Sequence, residues 1–202
     1  MSGRALIAVV EDDEVVAASV AALLDAHGFR AESYRTAEAF LDAATDGAAT
    51  DCVLMDVRLP GLDGVEAVAR FRAAGGLTPI VVVTGHADVS LAVAAMRAGA
   101  QDLLEKPYDD ADLVARIEAA CEAGAQELDH RRRFEALTPR ETDVMREVVA
   151  GRPNKVIAHN LGLSPKTVEI HRSRVMEKTG AESLSHLVRM AFKAGIDPEA
   201  SD

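Results

Sequence analysis

The chain has 202 residues, 49% of them hydrophobic, and a formal net charge of −11 at pH 7. This length suits one large domain or two small ones, and the apolar content is sufficient for buried cores. The sequence lacks an apolar run of the roughly 18 residues that a membrane helix needs. Its N-terminus also lacks the apolar core and cleavage site of a signal peptide, so the sequence predicts a cytoplasmic protein with no membrane span.

Charge divides the chain into two parts. Residues 1–130 carry 9 Lys and Arg against 23 Asp and Glu, whereas residues 131–202 carry 13 against 10. An acidic part followed by a basic part predicts two domains with different partners. The two cysteines, Cys52 and Cys121, lie in apolar surroundings, which predicts reduced core thiols rather than a disulfide or a metal site.

Short apolar runs alternate with helical patterns in the acidic part. The predicted strands are Ala5–Val10, Arg30–Tyr34, Cys52–Met55, Ile80–Val83 and Asp102–Leu104. The apolar stripes that predict helices are Val16, Val20, Leu23 and Leu24; Ala37, Phe40 and Leu41; Val65, Val68 and Phe71; Val89, Val93 and Met96; and Leu113, Ile117 and Cys121. The alternation predicts an α/β fold, a doubly wound five-stranded parallel sheet with helices on both faces.

Acidic residues follow two of these strands. Glu11, Asp12 and Asp13 come after the first strand, and Asp56 comes after the third. If the two strands are neighbours at the topological switch point, the carboxylates share one crevice, where Mg²⁺ would offset their repulsion. The alternative is that Glu11–Glu14 only cap the predicted helix Val15–His27.

Two further polar residues complete this set. Thr84 follows the fourth strand and Lys106 follows the fifth. Carboxylates, a hydroxyl and an ammonium at one edge of a sheet suit phosphoryl transfer to a carboxylate. Asp56 would be the nucleophile, and Thr84 and Lys106 would bind the transferred group.

Four motifs within residues 4–122 resemble those of the receiver domains of bacterial two-component response regulators. They read VVEDD (from Val9), LMDVRLPGLDG (from Leu54), VVTGHAD (from Val82) and AGAQDLLEKPY (from Ala98). The resemblance implies a receiver domain over residues 1–122, with Asp56 as the acceptor of a phosphoryl group from a sensor histidine kinase.

The resemblance also implies a ligand set for Mg²⁺. Glu11 and Asp12 would form the acid pair, and Asp56 and the backbone carbonyl of Arg58 would join them. Asp13 lies one position beyond the usual pair.

Other implied features concern the phosphoryl group and the output surface. Thr84 and Lys106 would stabilise the phosphoryl group, and the bond from Lys106 to Pro107 would be cis. Many receivers carry an aromatic switch residue three positions before the Lys, where this chain has Leu103, which is equally consistent with an ordinary buried strand residue. The predicted switch and dimerisation face consists of Val89, Val93, Met96, Leu103 and Tyr108.

The junction between the two parts is a predicted long helix, Asp109–His130. The predicted linker, residues 123–134, overlaps its end and continues the last helix of the first domain. Gly124 is a weak point in it, because Gly costs about 1 kcal/mol relative to Ala in a helix interior. The basic run Arg131–Arg133 indicates either contact with DNA phosphate or a solvated linker face.

Residues 135–202 have helical patterns only. Thr138, Pro139 and Glu141 have the spacing of a capping box with Pro at the first helical position. The later predicted helices are Asn154–Leu161, Pro165 to about Thr179, and Ser183–Ala194. The predicted core residues are Val156, Ile157, Leu161, Leu163, Val168 and Val175.

Two of these helices, joined at Leu161–Ser164, form a helix-turn-helix pattern whose second helix is rich in basic residues and would enter the major groove of DNA. The alternative is a helical bundle with a solvated basic face that binds protein. The stretch from Leu137 to Ser183 resembles a LuxR-type DNA-binding domain. By this resemblance Glu169, Ile170 and Ser173 would face bases, and Lys155, Lys166, Thr167, Arg172 and Arg174 would lie near phosphates.

The whole chain resembles the FixJ/NarL family of transcriptional regulators, nearer the FixJ branch. The resemblance implies that phosphorylation of Asp56 either frees the second domain or favours a homodimer that presents two recognition helices to double-stranded DNA. Two alternatives are an enzyme that uses Asp56 as the nucleophile on an external phosphoester, and a regulator that binds only protein.

Overall fold

A computed structural model describes residues 4–47 and 49–196. These residues fall into two compact units, the first ending at Ala125 and the second beginning at Gln126. The domain limits predicted above, 1–122, 123–134 and 135–202, stay predictions. Within the described ranges, no helix is long and apolar enough to cross a membrane.

Among the described residues, the first unit contains a five-stranded parallel sheet with strand order β2-β1-β3-β4-β5. The strands are β1 (Leu6–Val10), β2 (Arg30–Tyr34), β3 (Cys52–Asp56), β4 (Ile80–Thr84) and β5 (Asp102–Glu105). Every residue of β3 and β4 is buried, as expected for central strands covered on both faces. The predicted fold class is confirmed, and β1 lies beside β3 at the switch point.

Helices cover both faces of the sheet. They are α1 (Glu14–Ala26), α2 (Ala37–Thr45), α3 (Gly64–Ala73), α4 (Val89–Ala98) and α5 (Asp110–Glu135). One core layer packs the sheet against α1 and α5 and includes Leu24, Leu113 and Ile117. The other layer packs the sheet against α2 and α3 and includes Phe40 and Phe71.

Helix α4 does not bury the stripe that the sequence predicts as its apolar face. Val89, Val93 and Met96 are 81%, 44% and 43% exposed, and the buried position is Ala95. Hydrophobic periodicity identifies an apolar face of a helix but not which neighbour covers it. Here the small Ala95 packs into the second core layer, and the larger side chains face solvent.

Gly124 makes a close packing contact between α5 and the residue before β4, and its predicted weakening of the helix stays a prediction. A Cβ atom built on Gly124 would lie 2.8 Å from Cδ and 3.0 Å from Cγ of Pro79, the residue before β4. The helix continues through this glycine and ends at Glu135, beyond the predicted end at His130.

The second unit is helical in its described part. Its helices are α6 (Pro139–Val149), α7 (Asn154–Leu161), α8 (Pro165–Thr179) and α9 (Leu184–Lys193). Phe134, from the end of α5, joins their core together with Met145, Ile157 and Leu187. Val156 was predicted in this core but is exposed. Its neighbour Ile157 takes the inward position, since adjacent residues of a helix point about 100° apart.

The capping box at the start of α6 is confirmed and extends to α8. The Thr138 N–H donates to Glu141 Oε2 over 2.8 Å, and the Glu141 N–H donates to Thr138 Oγ1 over 3.4 Å. Lys178 Nζ donates to the same Glu141 oxygen over 2.6 Å. These hydrogen bonds lower the pKa of Glu141 to about 2, and the one from Lys178 has the largest effect. Lys178, on α8, is exposed and is paired within the unit.

Candidate functional site

Three charged side chains meet at the carboxyl edge of the sheet. Asp56 ends β3, Glu11 follows β1, and Lys106 follows β5. Lys106 Nζ lies 2.7 Å from Glu11 Oε2 and also donates to Asp56 Oδ2. Glu11 and Asp56 are only 8% and 7% exposed. The cis bond between Lys106 and Pro107, implied by the family resemblance, is present.

Burial and charge act against each other in this cluster. Burial raises the pKa of Glu11, the hydrogen bond from Lys106 lowers it, and the neighbouring charge of Asp56 raises it, with a net upward shift. Burial alone lowers the pKa of Lys106, but its bonds to Asp56 and Glu11 outweigh burial and raise it. Lys106 therefore stays an ammonium at neutral pH, close to the Asp56 carboxylate.

The loop after β3 holds Asp56 from the other side. The Arg58 N–H donates to Asp56 Oδ1 over 2.7 Å. Gly64, the first residue of α3, lies so close that an added Cβ atom would be 2.1 Å from the Asp56 carbonyl oxygen. The two carboxylate oxygens of Asp56 are thus held separately, one by the loop and one by Lys106.

The adjacent acids after β1 have different surroundings. Asp13 caps α1, accepting hydrogen bonds from the amides of Val15 over 2.8 Å and Val16 over 3.1 Å. Asp12 is exposed and lines an open groove that Arg58 also lines. Capping of α1 accounts for the acidic residue at position 13, but it does not account for the acidic residues Asp12 and Glu11.

The oxygen donors at this edge suit a hard divalent cation. Glu11 and Asp56 offer buried carboxylates, and Asp12 offers an exposed one. Within the part of the chain that the structure describes, no three His, Cys, Asp or Glu side chains form a metal site by themselves. Mg²⁺ commonly takes one or two protein carboxylates and keeps several waters, so these residues fit it. The ligand roles of Glu11, Asp12, Asp56 and the Arg58 carbonyl stay predictions.

Thr84 lies at the same edge, but its hydroxyl is bound elsewhere. Thr84 Oγ1 donates to the His86 carbonyl and accepts from the His86 N–H, each over 3.2 Å. Its backbone is closer to the cluster, since the Lys106 N–H donates to the Thr84 carbonyl over 2.7 Å. The structure therefore brings Glu11, Asp56 and Lys106 into contact and turns the Thr84 hydroxyl toward the next loop.

The five residues predicted as one switch face differ in their packing, and their shared role stays a prediction. Leu103 packs in the core layer of α2 and α3, whereas Tyr108 packs in the layer of α1 and α5. Tyr108 also lines a small cavity with Asp56 and Lys106, and burial raises its pKa. Tyr108 follows Pro107 and is no longer part of β5, so its position relative to Leu103 does not follow from strand alternation.

The helix-turn-helix in the second unit has well-defined ends. Helix α7 ends at Gly162, whose φ of 64° is left-handed and suits glycine. Helix α8 begins at Pro165, and the hydroxyl of Ser164 caps it by accepting from the Thr167 N–H over 3.1 Å. The predicted turn between the two helices is confirmed.

Helix α8 presents a polar and basic face to solvent. Val168 and Val175 face the core, whereas the exposed predicted positions are Lys166, Glu169, Ile170, Ser173 and Arg174. Ile170 is 46% exposed. Lys166 Nζ lies 3.3 Å from Glu169 Oε2. An exposed apolar side chain among basic ones suits contact with base edges and phosphates.

Two arginines proposed near phosphate make contacts inside the unit. Arg172 Nη1 donates to Asn154 Oδ1 over 2.6 Å, joining α8 to the first residue of α7. Arg133 Nη1 donates to the Thr179 carbonyl over 3.2 Å at the end of α8. Sequence reasoning missed Asn154, because an Asn at a helix start has many other uses. Lys155, beside it, is exposed.

Both units match known protein families. The model of the response regulator receiver domain matches residues 7–118, and the model of the luxR family of bacterial regulatory proteins matches residues 135–191. Together with the parallel sheet and the helix-turn-helix, these matches show that the chain belongs to the response regulators that carry a LuxR-type DNA-binding domain.

Within that class the chain is similar to FixJ. It is 44% identical to the transcriptional regulatory protein FixJ of Bradyrhizobium diazoefficiens, over 97% of this chain and 98% of that protein. Identity to FixJ of Rhizobium meliloti is 43%, over 94% and 96% of the two chains. A crystal structure of full-length FixJ from B. japonicum matches with 43% identity and a TM-score of 0.58, over 97% of this chain and 100% of that one. The chain is a response regulator of the FixJ branch.

Proposed function

We propose that this response regulator binds promoter DNA under the control of a phosphoryl group that Asp56 accepts from a sensor histidine kinase. The observation that carries the proposal is the contact of Lys106 with Asp56 and Glu11 at the buried edge of the sheet. Phosphoryl transfer depends on positioning and on cations that neutralise the transferred oxygens. A buried carboxylate that already contacts an ammonium meets both requirements.

The transfer would proceed with Asp56 as the nucleophile. One Asp56 carboxylate oxygen forms the bond to phosphorus, and the bond from phosphorus to the donor breaks. Lys106 then exchanges its bond with Asp56 for one with a phosphoryl oxygen. Glu11, Asp12, Asp56 and the Arg58 carbonyl would hold Mg²⁺, which would supply further charge neutralisation. We infer no separate substrate.

The Thr84 hydroxyl is the second proposed contact of the phosphoryl group. We propose that the hydroxyl releases His86 to make this contact and that the loop before α4 moves with it. That loop leads into the exposed stripe Val89, Val93 and Met96. An exposed apolar patch of this kind suits a protein interface, and we propose that it carries the homodimer of the phosphorylated protein, with the neighbouring Leu103 as the switch position.

The second unit would read DNA through α8. Basic side chains such as Lys166 and Arg174 would contact phosphates and fix the helix in the major groove. Ile170 and Ser173 would face bases, and Glu169 would either accept from cytosine or orient a basic neighbour. Lys155, Thr167 and Arg172 complete the proposed contacts.

Intact-mass measurement tests the acceptor. With Mg²⁺ and a small acyl-phosphate donor, the parent protein is expected to gain one phosphoryl group and Asp56→Ala none. Asp63→Asn is the matched control, because it changes a nearby carboxylate while Asn still caps α3. It should be phosphorylated like the parent. A mass gain in Asp56→Ala, or none in the parent with either the donor or a kinase, would contradict the proposal.

A further inference from the structure

Glu105 precedes Lys106 in the chain, and its side chain contacts the loop that leads to α4. It ends β5, where its partner in the sheet register is Thr84. Lys106, the next residue, turns its ammonium toward Asp56, whereas Glu105 Oε1 accepts a hydrogen bond from the Ala87 N–H over 2.9 Å. Successive residues of an extended chain point opposite ways, so the two neighbouring charges serve different sides of the edge.

Hydrogen bonds at three consecutive residues hold the loop from Gly85 to Asp88. The Thr84 hydroxyl binds both the carbonyl and the N–H of His86. Glu105 binds the N–H of Ala87, and Asp88 caps α4 by accepting from Leu91 N–H over 2.7 Å. Of these holding groups, only Glu105 belongs to another strand, so its side chain ties the loop to β5.

We propose that Glu105 is a positioning residue that restrains this loop and thereby slows phosphorylation of Asp56. The inference rests on the proposed function, in which Thr84 must release His86 to bind the phosphoryl group. The bond between Glu105 and Ala87 stabilises the loop in the arrangement where Thr84 is engaged. Removing it raises the population of the competent arrangement before the phosphoryl group arrives.

The effect of Glu105 should be local. The sheet continues past it through the backbone bond from Lys106 to Thr84, 2.7 Å long, which does not involve the Glu105 side chain. Glu105 is also exposed, so shortening it leaves no buried cavity. Faster phosphorylation with a loss of unfolding free energy no larger than one hydrogen bond, about 1 kcal/mol, would separate this role from a purely structural one.

The test compares Glu105→Ala with Glu105→Gln in the full chain, since Gln keeps an acceptor oxygen. The readouts are the rate of phosphoryl gain from a small acyl phosphate with Mg²⁺, and hydrogen exchange at the Ala87 amide. Loss of one hydrogen bond should speed phosphorylation about three- to tenfold in Glu105→Ala. The Ala87 amide should exchange faster in the same variant. For Glu105→Gln, the rates of phosphorylation and of Ala87 exchange should stay within about twofold of the parent rates. The same is expected for Glu118→Ala, a control that removes an exposed acid from α5.

Two results would overturn the inference. One is parent-like phosphorylation and exchange in Glu105→Ala. The other is slower phosphorylation with faster exchange, which would mean that Glu105 assists Thr84 instead of restraining it. If the parent itself gains no phosphoryl group, the proposed function fails, and the rate effect fails with it. Unchanged Ala87 exchange in Glu105→Ala would then separately overturn the loop contact.

Discussion

Asp12 and Asp13 are chemically identical neighbours whose surroundings predict opposite effects. Asp13→Ala removes two hydrogen bonds from the start of α1 and should cost about 1 kcal/mol of unfolding free energy. It should leave Mg²⁺-dependent phosphorylation intact. Asp12→Ala should weaken that dependence and leave stability near the parent value. Urea unfolding and phosphorylation rates at several Mg²⁺ concentrations check both.

The matched control for this pair is Asp13→Ser, since Ser also caps a helix and should restore most of the stability. Loss of Mg²⁺-dependent phosphorylation in Asp13→Ala at unchanged stability would show that Asp13, not Asp12, is the metal-binding acid.

Because of Glu141, the helical unit should lose stability as the pH becomes acidic. Its pKa is about 2 in the folded protein against an ordinary value of 4.5. A depressed folded pKa contributes stability above about pH 4.5, and this contribution is lost as the pH falls toward 2. Glu141→Gln should cost about 2 kcal/mol at pH 7, the scale of a charged hydrogen bond. Thermal melts at pH 7 and pH 3 should show the variant closer to the parent at pH 3. An equal deficit at both pH values would argue against this role.

Gly124 shows how packing can reverse helix propensity. Replacing Gly by Ala in a helix normally stabilises it by about 1 kcal/mol. At this position the added methyl would meet Pro79, and overpacking typically costs about 1–3 kcal/mol. Gly124→Ala should therefore be neutral to destabilising by about 2 kcal/mol, measured by urea unfolding. Adding Pro79→Ala should remove most of the clash. Clear stabilisation by Gly124→Ala alone would show that the contact relaxes freely.

The sequence was sufficient to predict most strands and helices, but not which of their side chains pack against neighbouring elements. Buried strands are short continuous apolar runs, so β3 and β4 could be predicted almost to their ends. Helix α4 was harder, because its apolar stripe faces solvent while the small Ala95 faces the core. Val156 failed for a related reason, since the buried face of α7 is formed by Ile157 and Ala158, and Val156 points about 100° away from Ile157.

For the candidate site, the sequence likewise indicates which residues lie at strand ends but not the hydrogen bonds that they make. Glu11, Asp56 and Lys106 each stand at the end of a strand, so their meeting could be predicted on the condition that β1 lies beside β3. The alternating pattern alone does not decide that strand order. The bonds of Thr84 to His86 and of Glu105 to Ala87 depend on the conformation of one loop. No periodicity or spacing encodes that conformation, so these contacts needed coordinates.

DNA binding by the whole protein should be strongly salt-dependent, because its basic contacts displace counterions from phosphate. Arg174→Ala should weaken binding across all sequences and lower the slope of log affinity against log salt by about one unit. Lys193→Ala, an exposed basic residue on α9, is the matched control and should leave the slope unchanged. Fluorescence anisotropy with a labelled duplex over a salt series measures both. Salt-insensitive binding would favour a protein partner instead.

Phosphorylation of Asp56 is expected to control DNA binding. The most direct measurement compares affinity for duplexes selected from a random-sequence pool, with and without the acyl-phosphate donor, in the parent and in Asp56→Ala. Light scattering on the same samples reports dimerisation. We expect the phosphorylated parent to bind more tightly as a dimer and Asp56→Ala not to respond. Equal affinity of the phosphorylated and unphosphorylated parent would contradict control of DNA binding by phosphorylation.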